Sequence, residues 1–322
     1  MQRGTQWLHD ARWGVMTHFL ARLPGPAIDN RIVTAQEWNE QVDSVDVEAM
    51  ADTLADLGAG YLILTLGQLS GHFCSPNAAI DRIGGITPSL CSRRDLPAEM
   101  ARALRKRGLR LIAYIHSEPP HHEQCRDAFE TTQAAREADR RRLGMQRKWQ
   151  SVIAEWSARW GDLVSGWWVD GCYDPPMYKS LDEPNWHSFA AALRAGNEQS
   201  LLAFNHGIMW PPKSITDEDD YLAGEVDGAF FAGYWEGSRY CQVPAIYQGV
   251  RLHILSFLGT MWCQGDAPRF PDEFVAGYTK FIASRGGATT WDVPIERDCT
   301  IRESFMPQLK AIGQAVARAS RP

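Results

Sequence analysis

Apolar residues in this chain cluster in short dense runs, separated by polar stretches with helical spacing, and the rhythm repeats. The runs 14–19 (GVMTHF), 61–66 (YLILTL), 109–115 (LRLIAYI), 165–169 (SGWWV) and 201–204 (LLAF) read as strands. They are apolar at nearly every position instead of alternating, as parallel strands covered on both faces must be. Between them, 47–57 has helical apolar spacing and closes on Gly58, and 96–106 is stopped by Gly108. A long helix is predicted over 128–160 and another over 186–195, with flanking helices at 274–284 and 305–317. Later strands are less sharply drawn. The segment 228–231 is the expected sixth, and 252–262 and 287–291, interrupted by glycine and polar residues, are the seventh and eighth.

Strand, loop and helix in alternation predict the α/β class and a single (β/α)8 TIM-like barrel spanning residues 1–322, a fold that needs about 250 residues. An open doubly wound sheet is disfavoured, because no G-x-G-x-x-G or P-loop follows an early strand. Barrel chemistry collects where strands end at their C-termini. The residues there are His18, Gln68, His116, Asp170, Asn205-His206 and Trp291-Asp292, a polar and aromatic set.

Composition narrows the chemistry. With 322 residues, 44% hydrophobic, the chain buries a full core without a metal or disulfide. A net charge of −6 offers nothing to nucleic acid or an anionic membrane, and the basic stretch 136–142 reads as a solvated helix face. Seven cysteines without CxxC spacing read as reduced thiols. With no apolar run of spanning length and no leader-like N-terminus, a cytoplasmic protein is expected. No redox-cofactor signature, H-E-x-x-H helix or G-x-S-x-G elbow is present, so no cofactor is expected. His121-His122 with Glu123 reads as an inert loop pair, so no metal is expected either. Thirteen tryptophans, many beside polar residues, fit either sugar-stacking surfaces or an aromatic core.

The strand 164–171 (VSGWWVDG) delivers Asp170 to a tryptophan-lined mouth with a glycine behind it. A carboxylate so placed is a buried structural acceptor or a catalytic group. Glycoside cleavage needs one ionised carboxylate at the anomeric carbon and one protonated carboxyl at the leaving oxygen. Asp170 suits the first role; the segment 219–225 (DDYLAGE) and the pair Trp235-Glu236 offer candidates for the second. A glutamate on an aromatic surface has its pKa raised by desolvation, which suits an acid at neutral pH. The competing reading makes these loop carboxylates caps or partners of arginine.

Several motifs resemble glycoside hydrolase family 29, the retaining α-L-fucosidases. Residues 7–19 (WLHDARWGVMTHF) are similar to the family's W-F-x-x-x-K-F-G-I-F-x-H-W opening, and Glu37-Trp38 to its E-W element. Arg94-Asp95-Leu96 with Lys106-Arg107-Gly108-Leu109 resembles R-D-L … K-R-G-L. Trp168-Val169-Asp170-Gly171 resembles W-F-D-G, and residues 220–225 resemble the D-F/Y-x-T-x-E segment. Trp235-Glu236 and Arg285-Gly286-Gly287 resemble the later W-E and K-G-G-N elements.

The resemblance implies a retaining exo-glycosidase with Asp170 as nucleophile and Glu225 as general acid/base, working by double displacement on a small saccharide or glycoside. It places His18, Glu37, Trp38 and Trp168 around the sugar. Gln68, His116, Asn205, His206, Trp235, Glu236 and Trp291 complete the expected substrate-binding set. The chain also departs from the family. Its T-K-H-H-D-G-F stretch is Thr65-Leu66-Gly67-Gln68-Leu69-Ser70-Gly71-His72-Phe73, and its H-W-G triplet is His18-Phe19-Leu20. Its Y-Y-S is Ile115-His116-Ser117, and the N-D-R arginine is Gly207. The chain ends soon after the last expected barrel helix, so the family's C-terminal β-sandwich is expected to be missing. Two alternatives stay open: a glycosidase of this fold acting on another sugar through a pocket rebuilt by Gln68, His116 and His206, and a barrel that binds carbohydrate without cutting it. If Glu225 faces solvent, Glu236 is the next acid. No nucleic-acid or membrane partner is expected, and a homo-oligomer is left open.

Overall fold

The computed structural model describes residues 4–22, 33–120, 125–232, 235–236, 239–240 and 245–318, the side chains of Pro175, Trp235, Glu236, Arg239, Tyr240 and Arg318 excepted. Seven parallel strands form one sheet, in the order His253–Phe257, Ala288–Asp292, Trp13–Thr17, Tyr61–Thr65, Arg110–His116, Val164–Asp170 and Leu201–Phe204. The two edges of that sheet meet across the segment 221–226. Asp220 N and Tyr221 N donate to Leu202 O on one side, at 2.8 and 3.4 Å. On the other, Leu222 N donates to Arg251 O, Leu255 N to Gly224 O, and Val226 N to Leu255 O, at 2.8 to 3.0 Å. The segment therefore occupies the sixth position of a (β/α)8 TIM-like barrel, held by parallel bridges at Tyr221 and Glu225 instead of a continuous ladder.

This corrects the expected sixth strand. Residues 228–231 carry no strand, and the sixth position falls earlier, on a stretch whose Gly224 adopts φ +69°. A side chain there would meet His253 O at 2.1 Å, so only glycine permits the close approach to the seventh strand. The expected seventh strand shortens to His253–Phe257. The expected long helix over 128–160 is two helices, Gln133–Ala138 and Leu143–Trp160. Asp139 breaks it: its carboxylate accepts from Arg141 N and Leu143 N, and Arg142 turns through φ +54°.

Buried residues form two layers. Outside the barrel wall, strand side chains pack on the helices, with the rings of Trp156, Trp160 and Trp167 stacked in series at 6.0 and 5.7 Å. Inside it, Met16, Tyr61, Ile63, Ile112, Tyr114, Trp168, Tyr221 and Leu255 fill the lumen. Two of the resembling motifs serve this scaffold. Arg94 gathers the carbonyls of Val42 and Val45 and pairs with Glu99, while Asp95 caps Leu96–Lys106 and accepts from Trp160 Nε1. Arg107 pairs with Glu48 and Asp52 across to the helix Val47–Leu57. Among the described residues no helix is long and apolar enough to cross a membrane, and the cysteines are buried and free.

Candidate active site

The first, fourth, fifth and sixth barrel positions bring His18, Asp170, Asn205 and Glu225 to one mouth. Asp170 is the last residue of its strand, and the chain must turn at once. Gly171 makes the turn at φ +75°, and a Cβ there would lie 2.1 Å from His116 Nε2. The glycine therefore lets the His116 ring pack directly behind the carboxylate.

Asn205 joins the two acids. Its Nδ2 donates to Asp170 Oδ1 at 2.9 Å and to Glu225 Oε2 at 2.5 Å. Because one nitrogen reaches both, those two oxygens stand no farther apart than the two bonds end to end, about 5.4 Å. The environments of the two carboxyl groups differ. Asp170 accepts three hydrogen bonds, from Asn205, from Tyr114 OH at 2.6 Å and from Tyr173 OH at 3.4 Å. Glu225 lies in a poorly hydrated position, and burial together with the nearby Asp170 charge pushes its pKa up to about 7. The Asn205 bond and His18 pull the other way. At neutral pH Glu225 thus carries its proton about half the time.

His18 is fixed by a buried carboxylate. Its Nδ1 donates to Asp292 Oδ1 at 2.6 Å, and Asp292 Oδ2 accepts from Cys263 N at 2.6 Å. The His18 ring stands edge-on to Tyr114, with Trp262 beyond it at 6.4 Å.

The remaining expected residues divide. His116 lies at the mouth, its Nδ1 accepting from Glu118 N. His206 lines a small crevice with Asn205, Lys213 and Glu225. Trp168 lies beneath the carboxylates, with Nε1 on Ala223 O, and plugs the lumen. Gln68 sits half-buried in the turn after the second strand at φ +45°. Glu37 completes a capping box with Thr34 at the start of Ala35–Asp43. Trp38 is fully buried, stacked on His72 and donating to Phe73 O. Trp291 faces the outer layer, with Nε1 on Thr279 Oγ1 and its ring near Phe230. Trp235 and Glu236 fall on a two-residue strand whose side chains lie outside the described set, as do the residues His121, His122 and Glu123.

Tyr114, Tyr173, Asp292 and Trp262 also belong to the site and were not in the expected set. Asp292 and Trp291 share a strand end, and neighbours on a strand face opposite ways, so only Asp292 looks towards His18 while Trp291 turns to the outer layer. Tyr114 lies inside an unbroken apolar run, where nothing in the sequence separates lumen-facing from helix-facing positions.

No family model matches the chain, and no curated protein matches it in sequence. Its fold, however, is that of solved glycoside hydrolases. An endo-fucoidan hydrolase of glycoside hydrolase family 107, MfFcnA4_H294Q, superposes with a TM-score of 0.70 at 19% identity over 100% of this chain. This chain spans only 55% of that protein's length. The α-L-fucosidase AlfC from Lactobacillus casei, in complex with α-L-fucose product, matches with a TM-score of 0.65 at 14% identity over 99% of both chains. The α-L-fucosidase isoenzyme 1 from Paenibacillus thiaminolyticus gives 0.63 at 16% identity, over 96% of this chain and 74% of its own. The likeness takes in fucosidases and family 107 hydrolases alike. It is therefore to a fucosidase-like fold shared by these glycoside hydrolases, without singling out family 29.

Proposed function

We propose that this protein is a retaining glycosidase acting on α-L-fucosyl or closely shaped sugars, with Asp170 as nucleophile and Glu225 as general acid/base. The observation that carries this reading is the Asn205 bridge. It holds the two bridged carboxyl oxygens no more than about 5.4 Å apart, compatible with the roughly 5–5.5 Å of double-displacement enzymes and short of the roughly 6.5–9.5 Å that inverting enzymes need for a water. In the first step an Asp170 oxygen bonds to the anomeric carbon as the glycosidic C–O bond breaks, and the Glu225 proton goes to the departing oxygen. In the second, Glu225 takes a proton from water, whose oxygen attacks the same carbon and frees Asp170. His18, oriented by Asp292, stands where it can hold a sugar hydroxyl.

The test is turnover of a panel of aryl glycosides led by 4-nitrophenyl α-L-fucoside, with Asp170→Asn as control. Release of nitrophenol, reduced by several orders of magnitude in the variant, is the expected result; equal activity in both would reject the nucleophile. A second reading, cleavage within a fucose polymer, is supported by the fold likeness to endo-fucoidan hydrolases and by Tyr173 and Trp210, 63% and 53% exposed on the loops after the fourth and fifth strands. Oligosaccharides released from fucoidan, with no turnover of the aryl fucoside, would favour it.

A further inference from the structure

The phenol beneath Asp170 is a feature of this chain that the two-carboxylate scheme leaves unused. Tyr114 is 1% exposed, on the third strand, with its ring edge-on to Trp168 at 5.0 Å and to His18 at 5.8 Å. Its hydroxyl donates to Asp170 Oδ2 at 2.6 Å, the shortest of the three bonds that carboxylate accepts. Packed in the lumen, Tyr114 acts on Asp170 from the side away from solvent.

We infer that Tyr114 is a positioning residue that governs the second half of the reaction, the release of the sugar from Asp170. The inference rests on the reading of Asp170 as nucleophile. A hydrogen bond to a charged acceptor is about twice as strong as one to a neutral acceptor. The charge on Asp170 is present in the free enzyme, vanishes when the aspartyl ester forms, and returns as the ester C–O bond breaks and its electron pair goes back to the carboxylate. Tyr114 therefore favours the free carboxylate over the ester and lowers the barrier to leaving the ester. On the forward step the same bond holds back the attacking oxygen. Without the phenol the ester forms readily and decays slowly.

The second observation is burial. Buried phenols ionise with difficulty, and the Tyr114 hydroxyl is held well above its ordinary pKa by burial and by the Asp170 charge, so it remains a donor throughout the working range. Tyr173, which also reaches Asp170, is 63% exposed and stands at 3.4 Å, a poor candidate for the same task.

The experiment is pre-steady-state turnover of 4-nitrophenyl α-L-fucoside by wild type and Tyr114→Phe, joined to a carboxyl 13C titration of Asp170 in both, with Asp170→Asn to assign the signal. In Tyr114→Phe, kcat is expected to fall about 10- to 100-fold. KM should fall with it, and a stoichiometric burst of nitrophenol should appear. A merely structural change would raise KM or lower kcat/KM with no burst. Loss of the donor should move the midpoint of the Asp170 signal upward in the variant. That midpoint is read against the other groups around Asp170, namely Glu225, Tyr173, Cys172 and His116, which are the same in both proteins. Replacing Tyr114 by 3-fluorotyrosine preserves the packing, makes the phenol a stronger donor and should move the midpoint downward. An unchanged midpoint in both variants would overturn the inference even in an inactive protein. Wild-type silence across the glycoside panel would instead count against the proposed function, and the titration would still report on Tyr114.

Discussion

Asn205 decides more of this site than its modest side chain suggests. One amide nitrogen serves two acids, and the acids are made unlike by what else surrounds them: three donors for Asp170, a desolvated position for Glu225. A group that must be protonated, with a pKa near 7, gives kcat/KM a limb that falls as pH rises through 7. Glu225→Gln should abolish that limb and cost activated aryl glycosides far less than substrates with poor leaving groups. A limb that persists in the variant would assign it to another group. At this scale the sequence was partly legible. A carboxylate followed by glycine at the end of an apolar run drew attention to Asp170, and the acid-rich segment 219–225 to Glu225. Tyr114 is not legible, because an apolar strand buried on both faces does not mark which alternate residues look into the lumen, and Asp292, though placed at a strand end, is absent from the expected substrate-binding set.

The element on which the site depends is the sixth position, and it departs most from the expected pattern. Its segment has neither the length nor the β-branched content of a strand. Side chains fasten it in place. Asp219 accepts from Phe204 N, Ser214 Oγ and Ile215 N, and Asp220 accepts from Leu202 N and Arg194. From the seventh strand, His253 Nδ1 donates to Leu222 O while Nε2 accepts from Thr290 Oγ1. Burial lowers the His253 pKa to about 4, so the folded ring stays neutral while an unfolded chain takes up a proton below about 6.5. Stability from this group is complete above 6.5 and is lost as pH falls towards 4, by about 3 kcal/mol in all. Urea unfolding at pH 7 and 4.5 should therefore show a smaller loss on acidification in His253→Gln than in wild type. Parallel losses would place the acid sensitivity elsewhere. The first five strands were readable because each is a continuous apolar run. The sixth was not, since polar tethers at its ends and the glycine at its centre look like a loop.

Across the whole molecule, most of the aromatic content serves the scaffold. Trp13, Trp38, Trp149, Trp156, Trp160, Trp167 and Trp291 are fully or nearly fully buried. An aromatic residue beside a polar one in sequence does not share its surroundings, because on a strand or helix the polar neighbour points elsewhere. Trp160 sits between Trp156 and Trp167 on the outer layer, away from the carboxylates. Trp160→Ala should cost about 3–5 kcal/mol of stability by denaturant unfolding and leave KM for a turned-over substrate unchanged. A changed KM would mean that the outer layer shapes the mouth.

The two acids thus ride on different kinds of support. Asp170 terminates a strand paired along its length with both neighbours, whereas Glu225 sits at one of two isolated bridges on a segment joined to its neighbours by scattered hydrogen bonds. Yet the acid's segment has no spare volume: Tyr221, Leu222, Ala223 and Val226 are buried and Gly224 admits no side chain. A designer seeking to shift the pH of operation, or to turn cleavage into sugar transfer, has more room in the exposed residues 227–229 that follow the acid than in the closing segment itself.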